Sequence, residues 1–159
     1  MPDDYFLRIR DIEGDSLDAR HKGEIDIESW SWGESMDADA GRGGGAGAGK
    51  VQIQDAHFVT GSGTAGPKLF LACASGQHLP EAVLSARRAG RDAGDHLRWT
   101  FTDVLVTSYQ TGGASQGEPR DQLSLGFGRV AVEYRAPKPD GTLGPPVTAG
   151  WDVRRNTRL

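Results

Sequence analysis

Apolar and polar side chains alternate with a period of two along almost the whole chain, and the 3.6-residue period of an amphipathic helix is nearly absent. Tyr5, Leu7 and Ile9 alternate with Phe6, Arg8 and Arg10. Further strands are expected over 21–33 (HKGEIDIESWSWG), 50–59, 82–88, 97–109, 121–135 and 150–156. The alternation also changes phase inside strands. Ile25 and Ile27 stand in one phase, Trp30 and Trp32 in the other; Leu123, Leu125 and Phe127 give way to Val130, Val132 and Tyr134 around Gly126 and Gly128. A phase change beside glycine reads as a β-bulge, which adds a residue, bends the strand and re-aims its side chains. Bends at similar depths in several strands let a sheet curl towards a barrel. The expected fold is therefore all-β, with a sheet that curls towards a barrel.

The segment 21–33 admits two readings. A bulge near Glu28 and Ser29 returns both apolar pairs to one buried face and turns Ser31 to the other, between Trp30 and Trp32. Without a bulge the two ends bury opposite faces, and a second protein surface must cover one of them. The bulge is the preferred reading, and the rival keeps oligomerisation open.

A helix is expected over 67–76, where Pro67 suits a first helical position and Gly76 a stop. Leu69, Phe70 and Cys73 give it an apolar face. The candidate core adds Trp30, Trp32, Phe127 and Trp151 to Leu69 and Phe70. Residues 40–49, AGRGGGAGAG, cannot bury apolar area and read as a mobile loop. Residues 137–150, PKPDGTLGPPVTAG, read as a turn-rich connection.

Composition narrows the function classes. The net charge is −4 with acids and bases interleaved, so no basic stripe invites nucleic acid. The charges at Asp3, Asp4, Arg8, Arg10 and Asp11 speak against a secretory signal peptide, and no apolar run reaches the length of a membrane span. Cys73 stands alone, which suits a cytosolic birthplace and leaves no disulfide.

Candidate chemistry does not assemble. Gly61-Ser62-Gly63-Thr64-Ala65-Gly66 matches G-x-G-x-x-G after a strand and before a helix. The preceding strand carries Gln52, Gln54, Asp55 and His57, whereas a central parallel strand is almost wholly apolar. No second strand–helix repeat follows, and Pro67 and Leu69 occupy the positions where a P-loop needs Lys and Ser or Thr. The stretch reads as a turn into a helix. His21, His57, His78 and His96 lack metal-ligand spacing. Asp103 and Glu133 read as solvated strand positions, and Arg87 and Arg88 point to opposite faces. Neither a catalytic set nor a cofactor site is expected.

The chain resembles the Hcp family, the haemolysin-coregulated proteins of bacterial type VI secretion systems, almost end to end. The resemblance rests on GEIDIESWSWG (23–33), GAGKVQIQDAHF (47–58), PKLFLACASGQHLPEAVLSARRAG (67–90), FTDVLVTSYQTGG (101–113), DQLSLGFGRVAVEYRAPKPDGTLG (121–144) and TAGWDVRRN (148–156). It implies an all-β fold, a small two-sheet β-barrel over residues 1–159 with one short α-helix packed alongside, serving as a non-enzymatic, cofactor-free subunit of the secretion tube. Six copies form a ring, and rings stack into a hollow tube that a contractile sheath drives out with a spike on its tip. Effector proteins can ride in the lumen. The protein would be made in the bacterial cytoplasm and then secreted without a signal peptide, with no nucleic acid or membrane partner.

The resemblance also places residues. Ser31, with Ser29 beside it, matches the lumen position that touches effectors. Residues 34–50 correspond to an extended loop reaching the next ring, with Arg42, Gly44 and Lys50 as stacking candidates. The turn at Gly90, with Asp92 and Asp95, lies on one ring face, and Arg154, Arg155 and Thr157 on the other. Arg91, Asp92 and Asp95 meeting Arg154, Arg155 and Arg158 is the expected charge match. Segments 5–9 and 24–32, apolar on both faces, would turn their second face to a neighbouring subunit. The chain departs from the family in a loop unusually rich in Gly and Ala and in the glycines of 59–66. The alternatives are a monomeric β-barrel module binding a small ligand or glycan, and a tube protein of a related contractile injection particle.

Overall fold

A computed structural model describes residues 2–36, 50–89 and 94–159. Eleven strands and one helix follow in the order β1 (Asp3–Ile9), β2 (Ile25–Ile27), β3 (Ser29–Ser31), β4 (Glu34–Ser35), β5 (Gln52–Ile53), β6 (Ala56–Gly61), α1 (Ala65–Ser75), β7 (Leu79–Arg88), β8 (Leu97–Gly112), β9 (Arg120–Pro137), β10 (Leu143–Asp152) and β11 (Thr157–Arg158). Nine strands form one antiparallel sheet, whose main path runs β11-β10-β9-β8-β7-β1-β2, and β4 and β5 pair separately.

The central strand is β9. It pairs with β8 along its whole length, and its other edge is shared, β6 taking Arg120 to Leu125 and β10 taking residues from Arg129 onward. On the far side of β6 lies β3, which follows β2 in the chain and is separated from it only by Glu28. The phase change of the opening pattern is therefore a change of partner. Ile25 and Ile27 lie against β1, Trp30 lies opposite Phe58 on β6, and the Glu28 N–H donates to the Val59 carbonyl at 2.8 Å across the joint. Both isoleucines enter the core, and Trp30 and Trp32 pack against it. The expectation of an all-β, barrel-like fold with one helix holds. Among the described residues no continuous ladder closes the sheet on itself, because at Glu28 covalent chain takes the place of the ladder between β2 and β6.

The second phase change is made by two strands together. From Thr102 opposite Arg129 to Leu105 opposite Gly126 the register of β8 and β9 does not slip. Phe101 and Val104 nonetheless both face inward, as do their partners Val130 and Phe127. The joint is Asp103, in the left-handed region at φ 55°, beside Gly128. A Cβ on Gly128 would lie 3.2 Å from Cβ of Asp103 and 3.4 Å from the Arg154 guanidinium carbon, so only glycine fits without displacement. The bulge proper falls in β8 between Val106 and Ser108, where the register shifts by one.

The core gathers Leu7, Ile25, Ile27, Phe58, Leu69, Leu84, Phe101, Leu123 and Leu125. Trp32 stands edge-on to Trp99, Phe101 and Phe127, with ring centroids 4.9, 6.5 and 6.0 Å away, and Trp30 stands edge-on to Tyr5. Such geometry adds to the burial of each ring.

Helix α1 starts two residues earlier than expected and closes at Gly76, left-handed at φ 67°, whose N–H donates to the Ala72 carbonyl. Its start is clipped by Asp15, which accepts from the Thr64 N–H at 2.9 Å and from the Thr64 hydroxyl. A Cβ on Gly63 would strike this carboxylate, which accounts for the glycine as turn geometry. The helix buries Ala65, Gly66, Leu69 and Ala72. Phe70, expected in the core, is 60% exposed, as is Leu71. Its successor-but-one pattern explains the correction: the buried stripe is 65, 69, 72, and residues 70 and 71 fall on the other side.

Residues 11–24, which show no periodicity, cover the outer face of β1 and β7. The His21 ring stacks on Phe6 at 4.3 Å between centroids, and the Arg87 guanidinium lies over the same ring. His21 is held by Glu24 on Nδ1 at 2.9 Å and Asp95 on Nε2 at 2.8 Å. Phe6 and Ser85 are consequently buried. The second apolar face of β1 is thus closed within the chain, and residues 24–32 turn both apolar pairs inward. Neither segment keeps an apolar face for a neighbour.

Candidate functional surface

The same alternation that fills the core sets what points away from it. On β9 Leu123 and Leu125 are buried, so Gln122 and Ser124 face outward; on β6 Phe58 and Thr60 face in, His57 and Val59 out. Register completes the rows. Ser31 lies opposite His57, His57 opposite Ser124, and Ser124 opposite Ser108. One step along, Ser29, Val59, Gln122 and Gln110 line up in the same way. The result is a four-strand surface of β3, β6, β9 and the second half of β8, made of small or neutral polar groups with one aliphatic side chain, Val59.

Ser29 and Ser31 are exposed on this surface. His57 shares a hydrogen bond of 3.0 Å between Nδ1 and the Ser124 hydroxyl. The charged groups around it are internally matched: the Arg120 guanidinium pairs with Glu28, and Asp55 accepts from the Thr107 hydroxyl at 2.7 Å. Behind it, buried Asp121 accepts from the Tyr109 hydroxyl at 2.9 Å and the Ser62 hydroxyl at 2.8 Å, which ties β8, β9 and the entry to α1 together. Burial, then the bond to Asp121, pushes the Tyr109 phenol above its ordinary range. The surface therefore has a rigid backing and a weakly polar front. It offers hydrogen bonds without a strong field.

The sequence placed Ser29 and Ser31 here but not His57, Ser108, Gln110, Gln122 or Ser124. Their signal was present: each occupies the phase opposite a buried residue in its own strand.

The stacking candidates scatter. Arg42, Gly44, Gly90 and Asp92 lie outside the described residues, while Lys50 is exposed at the foot of β5. Arg154 is exposed with its guanidinium 3.6 Å from the Asp103 carboxylate. Arg155 and Thr157 are exposed in the turn into β11, where the Arg155 N–H and the nearby Arg129 hold the Asp152 carboxyl below its usual range. Asp95 turns inward to His21, with its other oxygen 3.4 Å from Arg98, and its side chain is only 13% exposed. That engagement removes it from the charge match drawn above. Of the core candidates, Leu69 is fully buried and Trp30, Trp32, Phe127 and Trp151 are partly buried against the core. Among the described residues no three His, Cys, Asp or Glu side chains converge as metal ligands.

Known proteins carry this architecture and sequence. A family model described as "Type VI secretion system effector, Hcp" matches residues 6–134. Protein hcp1 of Pseudomonas aeruginosa strain PAO1 is 48% identical over 162 aligned positions, covering 99% of either chain. The crystal structure of Hcp1 from Salmonella typhimurium superposes over the whole of both chains with a TM-score of 0.83 at 34% identity. A second solved structure, a type six secretion system protein, reaches 0.91 at 25% identity, covering 99% of this chain and 100% of its own. With the fold and these matches agreeing along the chain, the protein belongs to the Hcp family, the structural tube proteins of type VI secretion.

Proposed function

We propose that residues 1–159 act as a single unit, the repeating subunit of the secretion tube, in which six copies close into a ring and rings stack into a hollow conduit. A contractile sheath and a spike are its machine partners, and it is made in the cytoplasm and exported with the tube. The neutral face carrying Ser29 and Ser31 lines the bore and contacts effectors. This face is the observation that carries the reading. A wall that must release varied cargo is best built from small groups offering weak hydrogen bonds, because strong desolvated charges would hold some cargo and repel the rest. The loop 34–50, with Arg42, Gly44 and Lys50, and the turn at Gly90 with Asp92 meet Arg154, Arg155 and Thr157 of the next ring. A glycine-rich sequence loses more conformational entropy than others in making any contact, which keeps that junction reversible.

Negative-stain microscopy of the purified protein tests the reading: rings with a central hole are expected, and isolated globules would overturn it. Ser31→Arg is expected to leave ring formation intact while blocking effector co-purification. If that variant carries effectors as the parent does, the Ser31 face is not the bore.

A further inference from the structure

One titratable ring stands in the middle of the neutral face. His57 of β6 lies opposite Ser31 of β3 on one side and opposite Ser124 of β9 on the other, with Ser108 of β8 beyond. The ring is half-exposed. Its Nδ1 is engaged with the Ser124 hydroxyl at 3.0 Å, while Nε2 has no partner among the described residues and is not buried. Nε2 is therefore a directional group turned towards whatever lies on this face.

The rest of the face holds its charge constant around neutrality. Every other position of the two rows is a hydroxyl, an amide or the aliphatic Val59. The strands that flank β6, β3 and β9, bring only serines level with the ring. Of the charged groups nearby, Glu28 and Arg120 neutralise each other, and Asp55, in the same phase as His57, accepts from the Thr107 hydroxyl. Carboxylates and guanidinium groups stay ionised through the neutral range, whereas imidazole is the side chain that changes charge between about pH 5 and 8. Among the described residues of this face, His57 is thus the one switchable charge, and its change has one sign.

We propose that His57 sorts cargo by charge: its protonated ring takes effectors that present carboxylates, and its neutral ring lets them go. The inference rests on the reading that this face lines the bore, and adds the class of cargo and what regulates its hold. Protonated Nε2 donates a charge-assisted hydrogen bond to a cargo carboxylate, stronger than the neutral bonds the serines offer. Arg120 does not do the same, because Glu28 occupies it. With the ring neutral, the Asp55 charge remains alone and disfavours acidic cargo. Repetition around a ring multiplies a contact that is weak singly.

Two fluorescein-labelled peptides, one of alternating Glu and Ser and one of alternating Lys and Ser, test this by anisotropy on purified rings. From about pH 8 to about pH 6 the parent's preference for the acidic peptide should rise about three- to fivefold, the worth of one partly solvated ion pair. His57→Gln should keep the rings and lose the rise, and His57→Lys should hold the acidic preference at both pH values. The other histidines remain in both variants, so a rise that survives His57→Gln would overturn the inference. Rings with a central hole that show no rise in the parent would overturn this inference alone, and a parent that forms no rings would overturn the bore reading with it.

Discussion

Phe6 and Tyr134 begin alike, as aromatic residues on strands whose neighbours along the chain alternate in polarity. Phe6 ends 4% exposed and Tyr134 44%. The difference lies in what the chain can bring to each. Residues 11–24 return across β1 and β7, lay His21 on the Phe6 ring, and through Asp18 hold Arg87 of β7 over the same ring. Among the described residues nothing comparable crosses the ends of β8, β9 and β10, where His96 stands edge-on to Tyr134 at 6.3 Å. An apolar face closed by local chain belongs to the subunit's own stability.

The largest expected effect breaks that symmetry directly. Phe6→Ala removes a ring packed on both sides and should cost about 3–5 kcal/mol in denaturant unfolding of the monomer. Tyr134→Ala should change the same measurement by less than about 1 kcal/mol, because its ring is already wet. Equal costs would mean that the two aromatics are not differently employed. A smaller effect is expected at Gly14, where an added Cβ would sit 2.5 Å from the Glu24 carbonyl oxygen. Backbone must move to admit it, so Gly14→Ala should destabilise by about 1–3 kcal/mol. It should also speed amide exchange in residues 14–24 while leaving β10 unchanged. Uniform exchange across both regions would show that the cover and the exposed end of the sheet are not separate.

Much of this contrast was hidden in the sequence, for reasons that differ by element. Strand β9 was legible because Leu123, Leu125 and Val130 mark a buried face whichever partner pairs with it. Strand β10 was read as a turn-rich connection from 137 to 150, since Pro145, Pro146 and three glycines (141, 144 and 150) argue against a strand. The prolines are tolerated because β10 is an outer strand, and its register shifts between Leu143 and Pro146. The exposed end of the sheet was invisible with it. The cover over Phe6 was equally hidden, since residues 11–24 act through His21 on Asp95 and Asp18 on Arg87, contacts distant in sequence that leave no period. Ser31 was found through family resemblance and alternation together. His57, with Ser124 beside it, needed the register of β6 against β9.

The smallest prediction probes the cover through its charge. Arg87 lies over Phe6 and is held there by Asp18, whose carboxylate accepts from the guanidinium, with one contact at 3.1 Å. That hydrogen bond holds the Asp18 carboxyl well below the usual carboxylate range, and the backbone N–H groups of Arg20 and His21 act in the same direction. A depressed native value means that the unfolded chain binds this proton first. The stabilisation is therefore fully present above the ordinary aspartate value of about 4 and is lost as pH falls below it. Asp15, Asp140 and Asp152 are depressed as well, so the parent's acid sensitivity is shared. Asp18→Asn isolates one share: it should be less stable than the parent at neutral pH, with the gap closing as the pH drops below about 4. Amide exchange should place the change in residues 14–24 and leave Tyr134 and Val147 untouched. A gap that stays constant with pH would mean that Asp18 acts by packing alone, and the cover over Phe6 would then be held by the stacked rings and not by charge.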